Sequence, residues 1–202
     1  IASALNVAED RIQARWPGEV AIEVRAADLP FIADAAVQGL NARLLSLFGA
    51  DERARRGRFV VHHIWSLPRL RTFLSVSAPV NPAEPSFPSI AAKHPAANWF
   101  EREVMDYFGL APEGHPNLER VALHDDSPEG AWALRKDFHP DTQVPRVEGS
   151  FHPFRPVTGE GVFQVPVGPV HAGTIEPGHF RFGVAGEPVL YLQLRLFYVH
   201  KG

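Results

Sequence analysis

The clearest periodic pattern in the chain lies in the stretch from Ala96 to Phe138. Phe100, Val104 and Phe108 recur at a spacing of four residues and would form one apolar stripe on a helix. Gly109 follows at the position where glycine commonly ends a helix. The pattern therefore predicts a helix that ends at Phe108 and is followed by extended, polar chain.

The first eighty residues alternate between helical and strand patterns. Val20, Ile22 and Val24 alternate with less apolar residues, which is typical of a half-buried strand. Helices that alternate with hairpin strands predict the α+β class, with an antiparallel or mixed sheet and helices on one face. The predicted elements are a helix over residues 3–15 capped by Ser3, a strand over 20–24, a helix from Asp28 to about Gln38, and strands over 43–48, 58–65 and 70–80.

Proline changes the character of the second half. Only three of the 19 prolines precede Pro79, and proline disfavours regular structure because it lacks a backbone donor. We therefore expect a loop over residues 79–88 and an extended segment over residues 110–156.

A β-hairpin is predicted at the end, with strands over residues 180–182 and 189–199. Four alternating leucines would share one face of its second strand, and such a face needs a covering layer or marks an interface. They are Leu190, Leu192, Leu194 and Leu196.

The composition is ordinary for a globular protein, with 45% hydrophobic residues and a net charge of −3 with neutral histidine. No basic excess suggests a nucleic-acid partner, and no apolar run approaches the ~18 residues of a helix inserted in a membrane. The absence of cysteine excludes disulfides, iron–sulfur clusters and thiolate metal sites from these residues. We expect no metal centre in this chain. The missing initiator methionine and the abrupt end at Gly202 predict a partial sequence.

Charged side chains crowd the predicted helix. Glu101, Glu103 and Asp106 with Arg102 could form a catalytic acid–base cluster, because paired carboxylates can exchange protons. The alternative, which we favour, is a salt-bridged helix face, since helical spacing places Glu103 with Asp106 and turns Glu101 away. In that interpretation the face docks a downstream segment, with Asp106 paired to Arg135.

A metal site is the second chemical possibility, because imidazole and carboxylate groups suit zinc or iron. His115, His124, Asp125 and Asp126 supply these groups, but their spacing matches no compact ligand motif. Turn and interface roles are favoured for them, and an independent metal-dependent enzyme ranks last among the hypotheses. Four arginines are expected to form a solvated patch in a hairpin turn: Arg53, Arg55, Arg56 and Arg58.

The best candidates for chemistry lie near the end of the chain. His171 and His179 bracket Glu176 among glycines and prolines, and histidines that titrate near neutrality can relay protons. The alternative is that both are turn histidines bonded to the backbone.

The run from Trp99 to Leu110, continued by GHPNLERVALHDD and LRKDF, resembles the signature of the 30 kDa-type subunit of respiratory complex I. The form HDDSPEG is closer to the related segment fused to the front of the large subunit of membrane-bound nickel–iron hydrogenases, as in formate hydrogenlyase. The resemblance implies a docking and assembly module. Its docking residues would be Trp99, Glu101, Arg102, Asp106, His115, Arg135 and Asp137.

The segments VGPVHAG (167–173) and EPGHF (176–180), with the terminal HKG, resemble the beginning of the large subunit of these hydrogenases. The same region is similar to the quinone-site subunit of complex I. The resemblance implies that Glu176 passes protons to and from the nickel site of the complete complex, and His171 resembles the histidine that lies near the quinone head in complex I. The sequence departs from that motif by inserting Pro177 before the glycine.

Together the two resemblances imply that residues 1–150 form the 30 kDa-like assembly module and that residues 151–202 begin the hydrogenase large-subunit domain. The chain would be a fragment of a formate-hydrogenlyase-type complex, cytoplasmic and peripheral on the inner face of the cell membrane. Its partners would include an iron–sulfur small subunit, and the nickel–iron centre and iron–sulfur clusters would lie outside these residues. The chain alone is therefore expected to be inactive. The alternative is a non-catalytic scaffold subunit of an NADH:quinone oxidoreductase-like complex.

Overall fold

The computed structural model describes residues 1–150 and 152–199. The chain divides into two units, the first formed by residues 1–120 and 130–143 and the second by residues 121–129 and those from 144 onward. The terminal HKG lies outside the described residues. The predicted domain division at residue 150 stays a prediction.

The first unit is built around a five-stranded mixed sheet with the order β1-β2-β5-β4-β3. Strands β2 and β5 are parallel, and the other neighbours are antiparallel. The α+β class with a mixed sheet is thereby confirmed. The strands are β1 (Gln13–Trp16), β2 (Glu19–Glu23), β3 (Arg43–Asp51), β4 (Phe59–Leu67) and β5 (Thr72–Val80).

One face of this sheet forms the core of the first unit. Ile22, Val76, His63 and Leu47 stand opposite one another on four adjacent strands, and all four are buried. Residues directly opposite each other share a face, so this row is apolar except for one imidazole. The imidazole of His63 is therefore a polar group inside an otherwise apolar row of the core.

In the part of the chain that the structure describes, four α-helices accompany the strands: α1 (Ala2–Leu5), α2 (Leu29–Leu40), α3 (Arg53–Arg56) and α4 (Asn98–Phe108). The helix predicted from Asp28 to about Gln38 is confirmed as α2, which buries Leu29, Ile32, Ala33 and Ala36 at helical intervals. Asp28 stands at the N-cap position that the sequence suggests for this helix, but its carboxylate accepts hydrogen bonds from Arg25 and makes no cap bond.

The predicted first helix over residues 3–15 is also wrong. Helix α1 ends after four residues because Asn6 adopts the left-handed conformation, which asparagine tolerates better than most residues. The chain then makes a short 3₁₀ turn and pairs with β2 as strand β1. Ser3 lies inside the helix and is not its cap.

The proline-rich loop and the extended segment each contain a short strand that the sequence analysis missed. Strand β6 (Ser86–Pro88) pairs in parallel with β7 (Ala111–Glu113) to form a two-stranded sheet. Each strand has three residues, too few for a period to be recognised.

The second unit contains an antiparallel sheet of three strands: β8 (Val162–Val167), β9 (His179–Ala185) and β10 (Val189–Arg195). The predicted terminal hairpin is confirmed as β9–β10, and β8 was missed. Leu192 and Leu194 share one face opposite Phe182 and Phe180 and are about half exposed. Leu196 lies beyond the last strand.

Within the described residues, no helix combines the length and the apolar character needed to cross a membrane.

The imidazole of His63 lies in the core with its Nε2 atom buried and without a hydrogen-bond partner among the described residues. Trp65, two residues along the same strand face, likewise has a buried indole N–H without a partner. Burial lowers the pKa of His63 to about 3, because the charged form is poorly solvated there. The histidine is therefore neutral in the folded protein at physiological pH.

We expect His63 to make the first unit acid-sensitive. In the unfolded chain His63 takes up a proton near pH 6.5, and in the folded chain it does so only near pH 3. The contribution of His63 to the free energy of unfolding is therefore fully present above pH 6.5 and decreases as the pH falls from 6.5 to 3. Within this range, protonation of His63 in the unfolded chain lowers the free energy of unfolding by about 1.4 kcal/mol for each pH unit. The substitution His63→Leu removes that contribution and an unsatisfied polar atom. The variant should therefore become increasingly more stable than the wild type as the pH falls.

Urea unfolding followed by tryptophan fluorescence measures this effect, because all four tryptophans belong to the first unit. His139→Gln is the control, since this side chain is 73% exposed. Parallel pH profiles for the wild type and His63→Leu would contradict the prediction.

Candidate functional site

Helix α4 carries a fully buried carboxylate, Glu101, near its start. The carboxylate accepts hydrogen bonds from the hydroxyl of Ser89 and from the backbone N–H of Ile90, the latter at 2.8 Å. Burial raises the pKa of Glu101, and these hydrogen bonds offset part of the rise. The group therefore fixes the chain at residues 89–90 against the helix and is closed to solvent.

His115 reaches the same helix from the segment that follows it. Its Nδ1 atom accepts the backbone N–H of Asn117 at 3.0 Å, so a neutral imidazole carries its proton on Nε2. Nε2 donates to the backbone carbonyl of Asn98 at 3.1 Å and lies 3.8 Å from the Glu101 carboxylate. His115 thus joins the first turn of the helix to the returning chain.

Arg102 performs a similar task with its guanidinium group. Its Nε atom donates to the carbonyl of Glu119 and an Nη atom donates to the carbonyl of Arg120 at 3.1 Å. A further Nη atom lies 3.3 Å from the side-chain oxygen of Asn98. The side chain is buried, so these backbone acceptors replace water around the cation.

The structure corrects the expected arrangement of acids on α4. Glu101 and Asp106 are the buried carboxylates, whereas Glu103 is partly exposed. The predicted salt-bridged face, which turned Glu101 away from Asp106, is therefore wrong in its placement of Glu101. Charge spacing along the helix does not reveal which carboxylates are buried.

Arg135 does not pair with Asp106, contrary to expectation. Its Nε atom donates to the carbonyl of Phe108, the last residue of α4, at 2.7 Å. Its guanidinium group stacks on the ring of Trp132 with 3.5 Å to the centroid. A cation at a helix C-terminus is favourable because the last carbonyls lack helical partners.

Gly109 makes this docking possible in two ways. It ends α4 in the left-handed conformation with φ 64°, and its backbone N–H bonds the carbonyl of Met105 at 2.9 Å. The Trp132 ring lies so close that a Cβ atom at Gly109 would overlap it. The glycine is therefore required both for its conformation and for the space it leaves.

Asp51 and Arg53 complete the docking of residues 134–138, and the sequence analysis missed their role. Arg53 donates to Asp51 and to Asp137, each with a closest distance of 2.7 Å, and stacks on Phe59. Asp51 also accepts the backbone N–H of Lys136 at 2.8 Å. Arg53 holds the pKa of Asp51 well below its usual range. Only the predicted site residue Asp137 pointed to this cluster.

The predicted solvated patch is accordingly wrong for two of its four arginines. Arg53 is committed to the cluster just described, and Arg58 pairs with Glu23 at 2.7 Å. Arg55 and Arg56 remain exposed on α3. Trp99, predicted as a docking residue, is 53% exposed on α4. A large exposed aromatic of this kind is typical of a contact surface for another chain.

The proposed relay residues lie on a closed loop of the second unit. His171 donates from Nε2 to the carbonyl of Gly178 at 2.9 Å, and His179 donates from Nδ1 to the carbonyl of Gly168 at 3.3 Å. Gly168 has φ 83°, and a Cβ atom there would overlap the Gly178 carbonyl. Glu176 is exposed on the same loop. The relay itself stays a prediction.

The two histidines differ in what their second nitrogen can do. In the neutral tautomer fixed by its hydrogen bond, His179 keeps a basic Nε2 that is buried and lacks a partner among the described residues.

The candidates for a metal site have other tasks. His115 belongs to the first unit, and His124 in the second bonds the carbonyl of Leu196 at 2.8 Å. Asp125 lies 3.4 Å from His152, and Asp126 pairs with Arg146 at 2.7 Å. Among residues 1–150 and 152–199, no group of three or more potential ligands is placed to hold a metal ion.

The fold is that of a module found in a respiratory membrane complex. A chain of the membrane-bound sulfane sulfur reductase, an archaeal respiratory membrane complex, has the same fold with a TM-score of 0.58 and 22% identity, covering 64% of this chain and 76% of that chain. The model of the respiratory-chain NADH dehydrogenase 30 kDa subunit family matches residues 22–144. The chain belongs to this family, which confirms the first resemblance.

Relatives of this chain are found in two kinds of complex. Formate hydrogenlyase subunit 5 of Escherichia coli is 35% identical over 91% of this chain, and hydrogenase-4 component G of the same organism is 36% identical over 92%. The C/D subunit of the NADH-quinone oxidoreductase of Methylococcus capsulatus is 43% identical over 49% of this chain and 18% of its own length. The chain spans about a third of each E. coli relative, 33% and 34% of their lengths.

We predict that Gly109→Ala detaches the segment around Trp132 and Arg135 from helix α4. The left-handed conformation alone costs alanine about 1–2 kcal/mol, and the displaced indole adds about 1–3 kcal/mol. Urea unfolding should show a loss of stability larger than the backbone conformation alone would cause. Trypsin should cleave after Arg135 and Lys136 faster than it does in the wild type.

Gly57→Ala is the matched control, because Gly57 also ends a helix with φ 68° but has nothing within 4 Å of the place that a Cβ atom would take. Equal loss of stability in the two variants would show that only the backbone conformation matters at Gly109.

Proposed function

We propose that this chain is the front part of the large subunit of a membrane-bound hydrogenase of the formate-hydrogenlyase type. Residues 1 to about 150 act as a docking and assembly module, and residues from about 151 begin the large-subunit domain. The chain joins an iron–sulfur small subunit and other subunits of a redox complex held at the inner face of the cell membrane.

One observation carries this proposal. The family match ends at residue 144, whereas similarity to the two hydrogenase relatives extends over more than nine-tenths of the chain. The segment beyond the family match is therefore largely included in the similarity to the two hydrogenase relatives. A fusion of the two parts in one chain accounts for this extent.

The geometry of the first unit supports an assembly role. The charges of α4 are used internally, by Ser89, Ile90 and the carbonyls of residues 119–120, and Glu101 is closed to solvent. A catalytic acid–base pair must reach a substrate, so the internal role favours a rigid scaffold. The exposed aromatic side chain of Trp99 is the contact that such a scaffold offers.

The metal centres implied for such a complex do not fit this chain's residues. Iron–sulfur clusters are held by cysteine thiolates, and the resemblance assigns the nickel–iron centre to cysteine pairs as well. None of the 202 residues is a cysteine. The proposed contribution of these residues is therefore docking and proton transfer, not metal ligation.

Proton transfer is assigned to Glu176, His171 and His179. The exposed carboxylate can exchange protons with water, and the buried Nε2 of His179 can accept one. The hydrogen bonds to Gly168 and Gly178 hold both rings in one tautomer. These features support a relay that begins on this loop.

The alternative is a scaffold subunit of an NADH:quinone oxidoreductase-like complex. It is favoured by the 43% identity to the M. capsulatus protein, which is higher than that of either hydrogenase relative. That identity covers only half of this chain, whereas the similarity to the hydrogenase relatives covers more than nine-tenths of it.

Affinity purification of the tagged protein from its native membranes separates the two. We expect a hydrogenase iron–sulfur subunit to co-purify, and NADH dehydrogenase subunits in its place would favour the alternative. Trp99→Ala should lower the co-purified amount at least about tenfold if the indole is a central contact. His139→Ala is the control, as the polar side chain of His139 is 73% exposed in the same unit. Equal loss in both variants would contradict the assignment of Trp99.

For the relay, Glu176→Gln in the complete complex should lower hydrogen evolution by about 100-fold or more while leaving the set of assembled subunits unchanged. Glu187→Gln serves as the control, because Glu187 is an exposed glutamate in the β9–β10 turn of the same unit. Unchanged hydrogen evolution in Glu176→Gln would end the relay proposal without affecting the assembly role.

A further inference from the structure

The second unit contains a cavity of about 470 Å³. Three arginines and four aromatic rings, two of them imidazoles, form much of its wall, and two aspartates also line it. A pocket of this size can hold a small organic molecule as well as a simple ion. The wall residues on which the inference depends are Arg146, Arg181, Arg195, His152, Phe154 and Tyr198.

The two aspartates already have cationic neighbours. Asp126 accepts a hydrogen bond from Arg146 at 2.7 Å. Asp125 lies 3.4 Å from His152 and 3.5 Å from Arg195, which is buried and also donates to the carbonyl of Leu123 at 3.0 Å. Each acid in the cavity is thus balanced by a side chain of the same unit.

Arg181 is the cation in excess. It lies on strand β9, and its guanidinium group stacks on the ring of Phe154 with 4.0 Å to the centroid. Within the described part of the chain this guanidinium has no carboxylate partner and no hydrogen-bond acceptor. Its N–H groups form a planar fork that matches the two oxygens of a carboxylate or a phosphate.

The stacking on Phe154 also orients this fork. The ring of Phe154 is itself held between other rings, with His152 at 4.6 Å and His179 at 5.1 Å between centroids. An arginine fixed in this way loses less side-chain freedom when it binds an anion than one that moves freely in solvent. The arrangement is therefore prepared for a ligand of opposite charge.

We propose that this cavity binds a small molecule carrying an oxyanion, a carboxylate or a phosphate group, on the guanidinium of Arg181. The aromatic walls contact the body to which the anionic group is attached. This binding activity is independent of the assembly and relay roles proposed above.

The test is a titration of the whole chain with sodium phosphate and, separately, with sodium acetate, each against sodium chloride at matched ionic strength. Nuclear magnetic resonance of the arginine Nε–Hε groups reports binding at each guanidinium. We expect a saturable shift of the Arg181 signal with at least one of the two oxyanions. The stronger ligand identifies whether phosphate or carboxylate is preferred.

Arg181→Gln should weaken this binding at least about tenfold, and the same change at the exposed Arg55 of helix α3 should leave it unaltered. Arg181→Lys, which keeps the charge but loses the fork, should lie between wild type and Arg181→Gln. Should Arg181→Gln fail to fold, the lysine variant decides. The proposal is overturned if chloride reproduces the shift, if neither anion saturates, or if the foldable Arg181 variants bind as the wild type does.

Discussion

The structure of the first unit depends on the burial of charged groups on one helix. Glu101 and Arg102 are adjacent on α4, and each is withdrawn from water. A buried charge is tolerated only where hydrogen bonds replace its solvation. Glu101 therefore requires the hydroxyl of Ser89 and the N–H of Ile90, and Arg102 requires the carbonyls of residues 119–120. Because these partners precede and follow the helix in sequence, two chain segments are fixed by one turn of helix.

A second constraint acts at the other end of α4. The carbonyl of Phe108 is satisfied by Arg135, and the approach of Trp132 needs the absence of a side chain at Gly109. The exposed Asp137 then meets Arg53, which also neutralises the almost fully buried Asp51. Stacked arginines thus tie residues 132–137 to the sheet and to the helix end. The helix is held at both ends by groups that cannot be moved separately without exposing a buried charge.

These constraints explain which features were predictable from the sequence. Helix α4 and its end at Gly109 follow from local periodicity and backbone preference, which act within a few residues. The failure at residues 3–15 came from Asn6, where one left-handed residue outweighed an amphipathic pattern, and from the pairing of β1 with β2. Arg135 was expected to seek a carboxylate, but a backbone carbonyl at a helix end is an equally good acceptor and leaves no mark in the sequence. For the same reason, the role of Arg53 could be found only once Asp51 and Asp137 had been brought together.

The loop of the second unit raises a different question, since its histidines were open to two interpretations. Both rings bond backbone carbonyls, as turn histidines do. That contact occupies one nitrogen of each ring and fixes the tautomer, which leaves the other nitrogen as the base. In His179 the basic nitrogen is Nε2, buried and without a partner among the described residues. The structural hydrogen bond uses one nitrogen of His179 and the predicted relay would use the other, so the turn role and the relay role are compatible in the same residue.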